Sequence, residues 1–577
     1  DYTKAIEVAE KLNWYYSDPD NKADEYDLGS LYNLLGVLYH SQSKPDKAEK
    51  YYLVAIEIQK RLAKKNPDAY EPALAGSYNN AGVFYKKQGQ PEKAEKYYLA
   101  AIEIQKRLAK KNPDAYEPAL AGSYNNAGVF YKKQGQPEKA EKYYLAAIEI
   151  QKRLVEKNAD AYEPDLATSY NNAGIFYKNQ GQPDKAEKYF LAAIEIYERL
   201  AKKNADAYEP YLAASYNNVG VFYDDQNQPD KAEKYYLAAI GIRERLVEKN
   251  AEAYESDLAA SYNNVGTFYD DQNQPDKAEK YYLAAIEIYE RLVKENADAY
   301  EPDLAMSYNN AGAFYHEQGQ PEKAEKYYLA AIEIYERLVK ENADAYEPDL
   351  ADSYNNAGVF YDDQNQPDKA EKYYLAAIGI RERLVEKNAD AYEPALADSY
   401  NNAGVFYKNQ GQPDKAEKYY LAAIGIRERL VEKNADAYEP DLADSYNNTG
   451  IFYAVHGQPQ KAEKYFLAAI EIRERLVEKN ADAYEPDLAG SYNNAGNFYK
   501  KQGQSEKAEK YYLAAIEIRE RLVEKNADAY EPDLATSYYN YYLLKEDKTY
   551  LDKAYEIAKR RQDDSRCKKI VEFVESM

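Results

Sequence analysis

The sequence predicts an all-α chain, a solenoid of antiparallel helical hairpins, and three observations carry that prediction. The stretch Ser123-Tyr-Asn-Asn-Ala-Gly-Val-Phe-Tyr131 recurs with its serine at Ser77, Ser169, Ser215, Ser261, Ser307, Ser353, Ser399, Ser445 and Ser491, each 46 residues from the last, and a degenerate copy stands at Ser537. Each copy is followed by a helix-stop residue and, two residues on, by a helix-start residue. Apolar side chains recur at helical spacing on both sides of that stop. A constant period of this size marks one supersecondary unit stacked on itself, since a single hairpin cannot bury its apolar face alone.

The opening stretch Tyr2 to Tyr16 carries Ala5, Ile6, Val8, Ala9 and Leu12 in a helical pattern, the second helix of a hairpin whose first helix is absent. Trp14 is expected to act as a cap residue there. The polar segment Ser17 to Glu25 ends the helix, and the first complete unit begins near Leu28. That unit diverges, with Leu34 and Leu35 where later units have Asn and Ala.

In the unit written for 118–163, Pro118 suits a first helical turn, where its missing N–H costs nothing, so helix A is expected from there to about Gln134. Gly135 then stops it. The matching position holds Gly89, Gly181, Gly319, Gly411, Gly457 and Gly503, with Asn227, Asn273 and Asn365 as substitutes and Ser43 in the first unit. Gly and Asn best tolerate the left-handed conformation that ends a helix, so the exchange predicts a C-cap.

Pro137 opens helix B, expected to run to about Asn158, with an inward stripe of Ala140, Tyr143, Tyr144, Ala147, Ile148 and Leu154. Ala159 to Glu163 is read as a linker whose Tyr162 plugs the joint between units. On helix A, Tyr124, Ala127, Gly128 and Tyr131 should face helix B, with Gly128 permitting two backbones to approach. Phe130 is off that stripe, and ten of the 13 phenylalanines, from Phe84 to Phe498, occupy its slot, which suits a contact between neighbouring units. The tail keeps the register, with Ala554 at the helix B alanine. Tyr539 and Tyr542 replace an Asn and the mid-helix Gly, and a final hairpin with a charged outer face, Lys559 to Lys569, is expected as a cap. The expected organisation is a half-repeat over 1–27, eleven repeats over 28–536, and a degenerate twelfth repeat with capping helix over 537–577.

The formal net charge is −24, so phosphate backbones are repelled overall and nucleic acid is not an expected partner. Apolar runs are only a few residues long, so no membrane partner is expected. Cys567, the single cysteine, excludes an intramolecular disulfide framework and leans towards a cytoplasmic location. The chain opens at Asp1 rather than Met, as an excised fragment would.

Tyr124, Gly128, Tyr131, Gly135, Ala140, Tyr144 and Ala147 together resemble the tetratricopeptide pattern. The unit is about 12 residues longer than the ordinary one of about 34. With Asn-Asn in helix A and Ala-Ile-x-Ile-x-x-Arg-Leu in helix B, the form is similar to the kinesin-light-chain-type subclass and to arrays fused to bacterial signalling or STAND-type ATPases. The resemblance implies a right-handed superhelix whose inner wall is helix A, here Gly122, Asn125, Asn126, Val129, Lys132, Lys133 and their counterparts, and it implies that peptides lie there.

The candidate binding residues are accordingly the asparagine pairs Asn79 and Asn80, Asn125 and Asn126, Asn171 and Asn172, Asn217 and Asn218, Asn263 and Asn264, Asn309 and Asn310, Asn355 and Asn356, Asn401 and Asn402, Asn447 and Asn448, and Asn493 and Asn494. An amide donates and accepts, so a row of them suits the main chain of an extended peptide whatever its sequence. The alternative is that one Asn of each pair bonds to the neighbouring unit. At the end of helix A the wall reads Lys86, Lys87, Lys132 and Lys133, then Asp224, Asp225, Asp270 and Asp271, with Asp362 and Asp363 further on, so a ligand of opposite charge order would match. A second graded position, Gly76, Gly122, Thr168, Ala214, Ala260, Met306, Asp352, Asp398, Asp444 and Gly490, would make the wall progressively more acidic.

Catalysis finds little support. His40, His316 and His456 lie in different units and read as surface histidines, and no phosphate loop, metal-ligand spacing or cofactor motif is present. The many tyrosines read as core rather than as base-stacking residues. The expected work is a non-catalytic scaffold that binds an extended peptide or protein segment in the groove lined by helix A. A ligand-sensing arm of a larger signalling protein is one alternative; a structural spacer or self-associating rod is another.

Overall fold

The computed structural model describes residues 2–16, 24–42, 44–562 and 564–577. Of the expectations above, the loop 17–23, Ser43 and the Trp14 side chain lie outside what is described. Among the described residues there are 26 helices and no strand.

The repeat is built from two 21-residue helices. Helix A of one hairpin spans Pro113–Lys133 and helix B spans Pro137–Lys157. A three-residue turn joins them, and one residue, Asn158, separates helix B from the next helix A, Ala159–Asn179. Asn158 serves both ends. Its N–H closes helix B on Leu154 O at 2.9 Å, and its side-chain oxygen accepts from Ala161 N at 3.2 Å to open helix A. The expected start at Pro118 and the expected linker 159–163 are therefore corrected: helix A begins five residues before Pro118, and 159–163 is a helical first turn. Asparagine capping sets the boundary. Pro118 sits inside the helix, where the ion pairs of Arg153 with Glu117 (2.9 Å) and Lys157 with Asp114 (2.5 Å) tie the opening turn to helix B.

The stop between the helices is as expected. Gly135 has φ +62°, and Asn227, Asn273 and Asn365 take the same conformation at +53° to +54°. Gln136 N closes the turn on Tyr131 O at 3.0 Å.

Gly128 faces helix B, but not for the approach of two backbones. A Cβ there would stand 2.8 Å from the ring of Tyr144, so the glycine makes room for an aromatic side chain. Phe130 meets Tyr98 on the preceding helix B, with ring centroids 5.5 Å apart. Tyr131 stacks on Tyr143 at 5.4 Å and donates its hydroxyl to Glu95 of the preceding helix B at 2.7 Å. Tyrosine thus fills the core and ties neighbouring hairpins. Tyr484, in the Tyr162 position, packs at a joint of Ile424, Leu442 and Leu476.

The chain divides into two compact units, Asp1–Tyr346 and Glu347–Met577. In each, successive helices pack in sequence order. Most A helices also approach the next helix A closely, backbone to backbone, whereas successive B helices stand further apart and meet through long side chains, as Lys93 does with Glu49 at 3.4 Å. The A helices therefore line the tighter side of the stack in each unit.

The second unit ends in Ala527–Lys545, Lys548–Arg560 and Ser565–Glu575. Phe573 of the last helix covers Tyr539 and Tyr542, at 5.3 and 6.3 Å between ring centroids. The tail cations are partly engaged rather than simply solvated: Arg560 and Arg561 pair with Glu531, and Arg566 with Asp533.

Candidate functional site

The asparagine pairs sit side by side on the A helices, because residues 46 apart recur at one place on successive identical helices. Across most joints the second asparagine of one repeat donates to the first of the repeat before. In the first unit Asn80 donates to Asn33 (3.4 Å), Asn126 to Asn79 (3.2 Å) and Asn264 to Asn217 (3.2 Å). In the second, Asn402 donates to Asn355, Asn448 to Asn401, Asn494 to Asn447 and Asn540 to Asn493, at 3.1 to 3.3 Å. Each bond uses one N–H of one amide and one lone pair of the other. The remaining N–H and carbonyl capacity lies on half-buried side chains.

Several first asparagines leave this ladder. Asn171 donates instead to Ser215 Oγ at 2.6 Å and Asn263 to Ser307 Oγ at 2.7 Å. The side-chain oxygens of Asn125, Asn171 and Asn263 are buried with no hydrogen-bond partner. Asn172, Asn218, Asn309, Asn310 and Asn356 are half-buried at the same position of their helices.

One turn on, the charged pairs form a belt. Burial and the neighbouring ammonium groups, with Lys133 the strongest of these for both, hold Lys86 and Lys132 below the ordinary lysine range. Lys178 ends the basic stretch in an ion pair with Asp225 at 2.7 Å. Beyond it, burial and then Asp271 and Asp225 push Asp224 up to about 6, and burial with Glu317 and Asp271 pushes Asp270 up to about 6. In the second unit, burial and Asp363 raise Asp362, and burial lowers Lys408 and Lys500.

The second graded position does not build an acidic wall. Asp352, Asp398 and Asp444 each pair with an arginine of the following helix B, respectively Arg381, Arg427 and Arg473. These guanidiniums are 8% exposed and also donate to Ser399, Ser445 and Ser491 of the next helix A. The carboxylates are thus neutralised by buried partners. In an earlier repeat, Thr168 Oγ1 meets Tyr197 OH at 2.8 Å instead. Sequence reasoning missed this helix B slot, although a signal was present: Arg stands 29 residues after each of those aspartates, where the early repeats carry Gln59, Gln105 and Gln151.

The histidines are not simply surface residues. His40 is half-buried edge-on to Phe84 at 5.4 Å, and burial with Lys87 and Lys86 lowers its pKa. His456 Nδ1 lies 2.8 Å from Phe452 O. Cys567 is buried in the last helix. Among the described residues no group of three or more His, Cys, Asp or Glu is placed to hold a metal ion, and no helix is long and apolar enough to cross a membrane.

A stack of near-identical helical hairpins with a polar inner face is a helical-repeat scaffold. The tetratricopeptide repeat models match 119–199, 165–245, 211–291, 257–337, 303–383 and 395–475, and also 28–68, 74–114 and 488–526, so the chain belongs to the tetratricopeptide repeat family. No curated protein matches it. Among solved structures, it is similar to BtubC (BKLC) from P. vanneervenii at 25% identity, over 44% of this chain and 92% of that one, with a TM-score of 0.35. Aspartyl phosphate phosphatase F from Bacillus subtilis matches at 17% identity, over 69% and 94%, with a TM-score of 0.41. The human IFIT1 dimer with PPP-AAAA matches at 17%, over 85% and 90%, with a TM-score of 0.38.

Proposed function

We propose that the chain is a scaffold that binds an extended peptide or protein segment along the A helices, held by the asparagine pairs and oriented by Lys86, Lys87, Lys132, Lys133, Asp224, Asp225, Asp270, Asp271, Asp362 and Asp363. The observation that carries this reading is the row of half-buried amides that keep donor and acceptor capacity after pairing with one another. Extended main chain offers alternating N–H and C=O groups, and such a row meets them without regard to side chains. The charge order beside the row supplies selectivity, because like-charged segments are rejected.

The test is affinity capture from lysate followed by crosslinking mass spectrometry, with wild type beside a variant carrying Lys at 224, 225, 270 and 271. The expected result is loss of the basic segments crosslinked near those positions. An unchanged bound set overturns the charge reading. Crosslinks confined to the B helices overturn the groove.

A further inference from the structure

One buried slot on helix B correlates with the state of the amide ladder. Where it holds arginine, the first asparagine of that hairpin accepts from the next repeat: Arg243 with Asn217, Arg427 with Asn401 and Arg473 with Asn447 are examples. Where it holds Tyr197 or Tyr289, the first asparagine, Asn171 or Asn263, turns to the serine of the next helix A. The chemistry accounts for the difference. A guanidinium only donates, and it occupies the acceptor side of the serine hydroxyl, whose proton in the tyrosine joints goes to the carbonyl four residues back, as Ser307 does to Asp303 O at 2.8 Å. The tyrosine hydroxyl instead reaches a backbone oxygen, Pro164 O for Tyr197 and Ser256 O for Tyr289. The serine oxygen is then open to the asparagine amide, and Asn263 is drawn in until it is 3% exposed. At the glutamine joints Asn33 and Asn79 stay in the ladder and Asn125 has an unpartnered oxygen, while Ser77 Oγ and Ser169 Oγ have no hydrogen-bond partner, so an open serine oxygen permits the turn and it is the tyrosine in the slot that accompanies it.

We propose that this slot is a specificity-determining position: arginine holds the first asparagine on the ladder, tyrosine withdraws it into the joint, and the unbroken run from Asn355 to Asn540 is the stretch that hydrogen-bonds the main chain of a bound segment. The ligand half of the inference rests on the groove reading above. In the first unit the gaps at Asn171 and Asn263 isolate short runs. In the second, four consecutive rungs are joined end to end.

The test uses the full chain and a fluorescein-labelled twelve-residue peptide of four Asp, four Ala and four Lys, whose two charged ends answer Lys408 and Lys500 on one side and Asp362 and Asp363 on the other. Asp398→Ala with Arg427→Tyr, together with Asp444→Ala and Arg473→Tyr, reproduces the joint that this chain already builds from Ala260 and Tyr289. Crystal structures are expected to show Asn401 on Ser445 and Asn447 on Ser491, and anisotropy to show at least fivefold weaker peptide binding. Adding Ser445→Ala and Ser491→Ala removes the competing acceptors and should restore both ladder and affinity. In the reverse direction, Ala260→Asp with Tyr289→Arg should return Asn263 to Asn310. Asparagines that keep their wild-type partners in these variants overturn the switch, and unchanged affinity after two rungs have opened overturns its role in binding. A wild-type chain that ignores the peptide while the asparagines switch as described sinks the groove reading and the ligand half alone.

Discussion

Arg427 spans a joint of three helices: from helix B it donates at once to Asp398 on the helix A before it and to Ser445 on the helix A after it. The guanidinium is 8% exposed and the carboxylate 56%, so the arginine carries most of the desolvation cost and the aspartate offsets it from the edge. The last joint of this kind lacks its acid. Arg519 bonds Asp533 O and Ser537, but the aspartate position is Gly490, where an added Cβ meets nothing within 4 Å.

Gly490→Asp is therefore expected to stabilise the C-terminal hairpins, by about 1 kcal/mol, from a charge-assisted hydrogen bond and the removal of a mid-helix glycine. Slower amide hydrogen exchange over 505–545 is the readout, and Asp444→Ala should move exchange around Arg473 the opposite way.

Gly128→Ala should destabilise its hairpin by roughly 1–3 kcal/mol, since the new methyl group would overlap the Tyr144 ring and a packed core cannot move aside freely. Chemical denaturation will show this. Gly122→Ala on the same helix, where a Cβ meets nothing, should be neutral or slightly stabilising.

Asn158→Ala removes the oxygen that opens helix Ala159–Asn179 and should cost about 1 kcal/mol. Faster exchange confined to 159–163 is expected. A global loss of structure would contradict the local role given to this cap.

Burial and neighbouring carboxylates hold two aspartates of the acidic belt well above the ordinary range. Asp224 and Asp270, pushed to about 6 from an ordinary 3.8, disfavour the fold while ionised. The folded state therefore binds more protons than the unfolded one between about 4 and 6. The penalty is fully present above pH 6 and is relieved as pH falls towards 4. Asp224→Asn with Asp270→Asn should flatten that dependence in urea denaturation. Binding of a lysine-rich peptide, followed by anisotropy, should weaken as pH falls through 6 in wild type and stay flat in the variant.

Much of this architecture was legible from local rules. The stop at Gly135, its exchange for Asn227, and the interlocking Phe130 depend on backbone conformation and spacing that one helix displays in its own sequence. The start of helix A is harder to read locally, because a residue such as Pro118 has the form of a first-turn proline while the true boundary is an asparagine such as Asn158, which caps two helices at once. Of the candidate site, the row of asparagines could be read, whereas the pairing of Asn126 with Asn79 could not, because its partners are 47 residues apart.

By itself, then, the sequence determined the period, the helices, the turn conformations and which face is polar, all of which follow from dihedral preference and periodicity within about twenty residues. Only the tertiary structure decided where charge survives and where amides point. Asp398 looks acidic on its own helix and is neutralised by an arginine from another. Asn263 looks identical to Asn401, yet one bonds a serine and the other an asparagine, and the side chain packed at that joint is a tyrosine in the first case and a serine-bound arginine in the second.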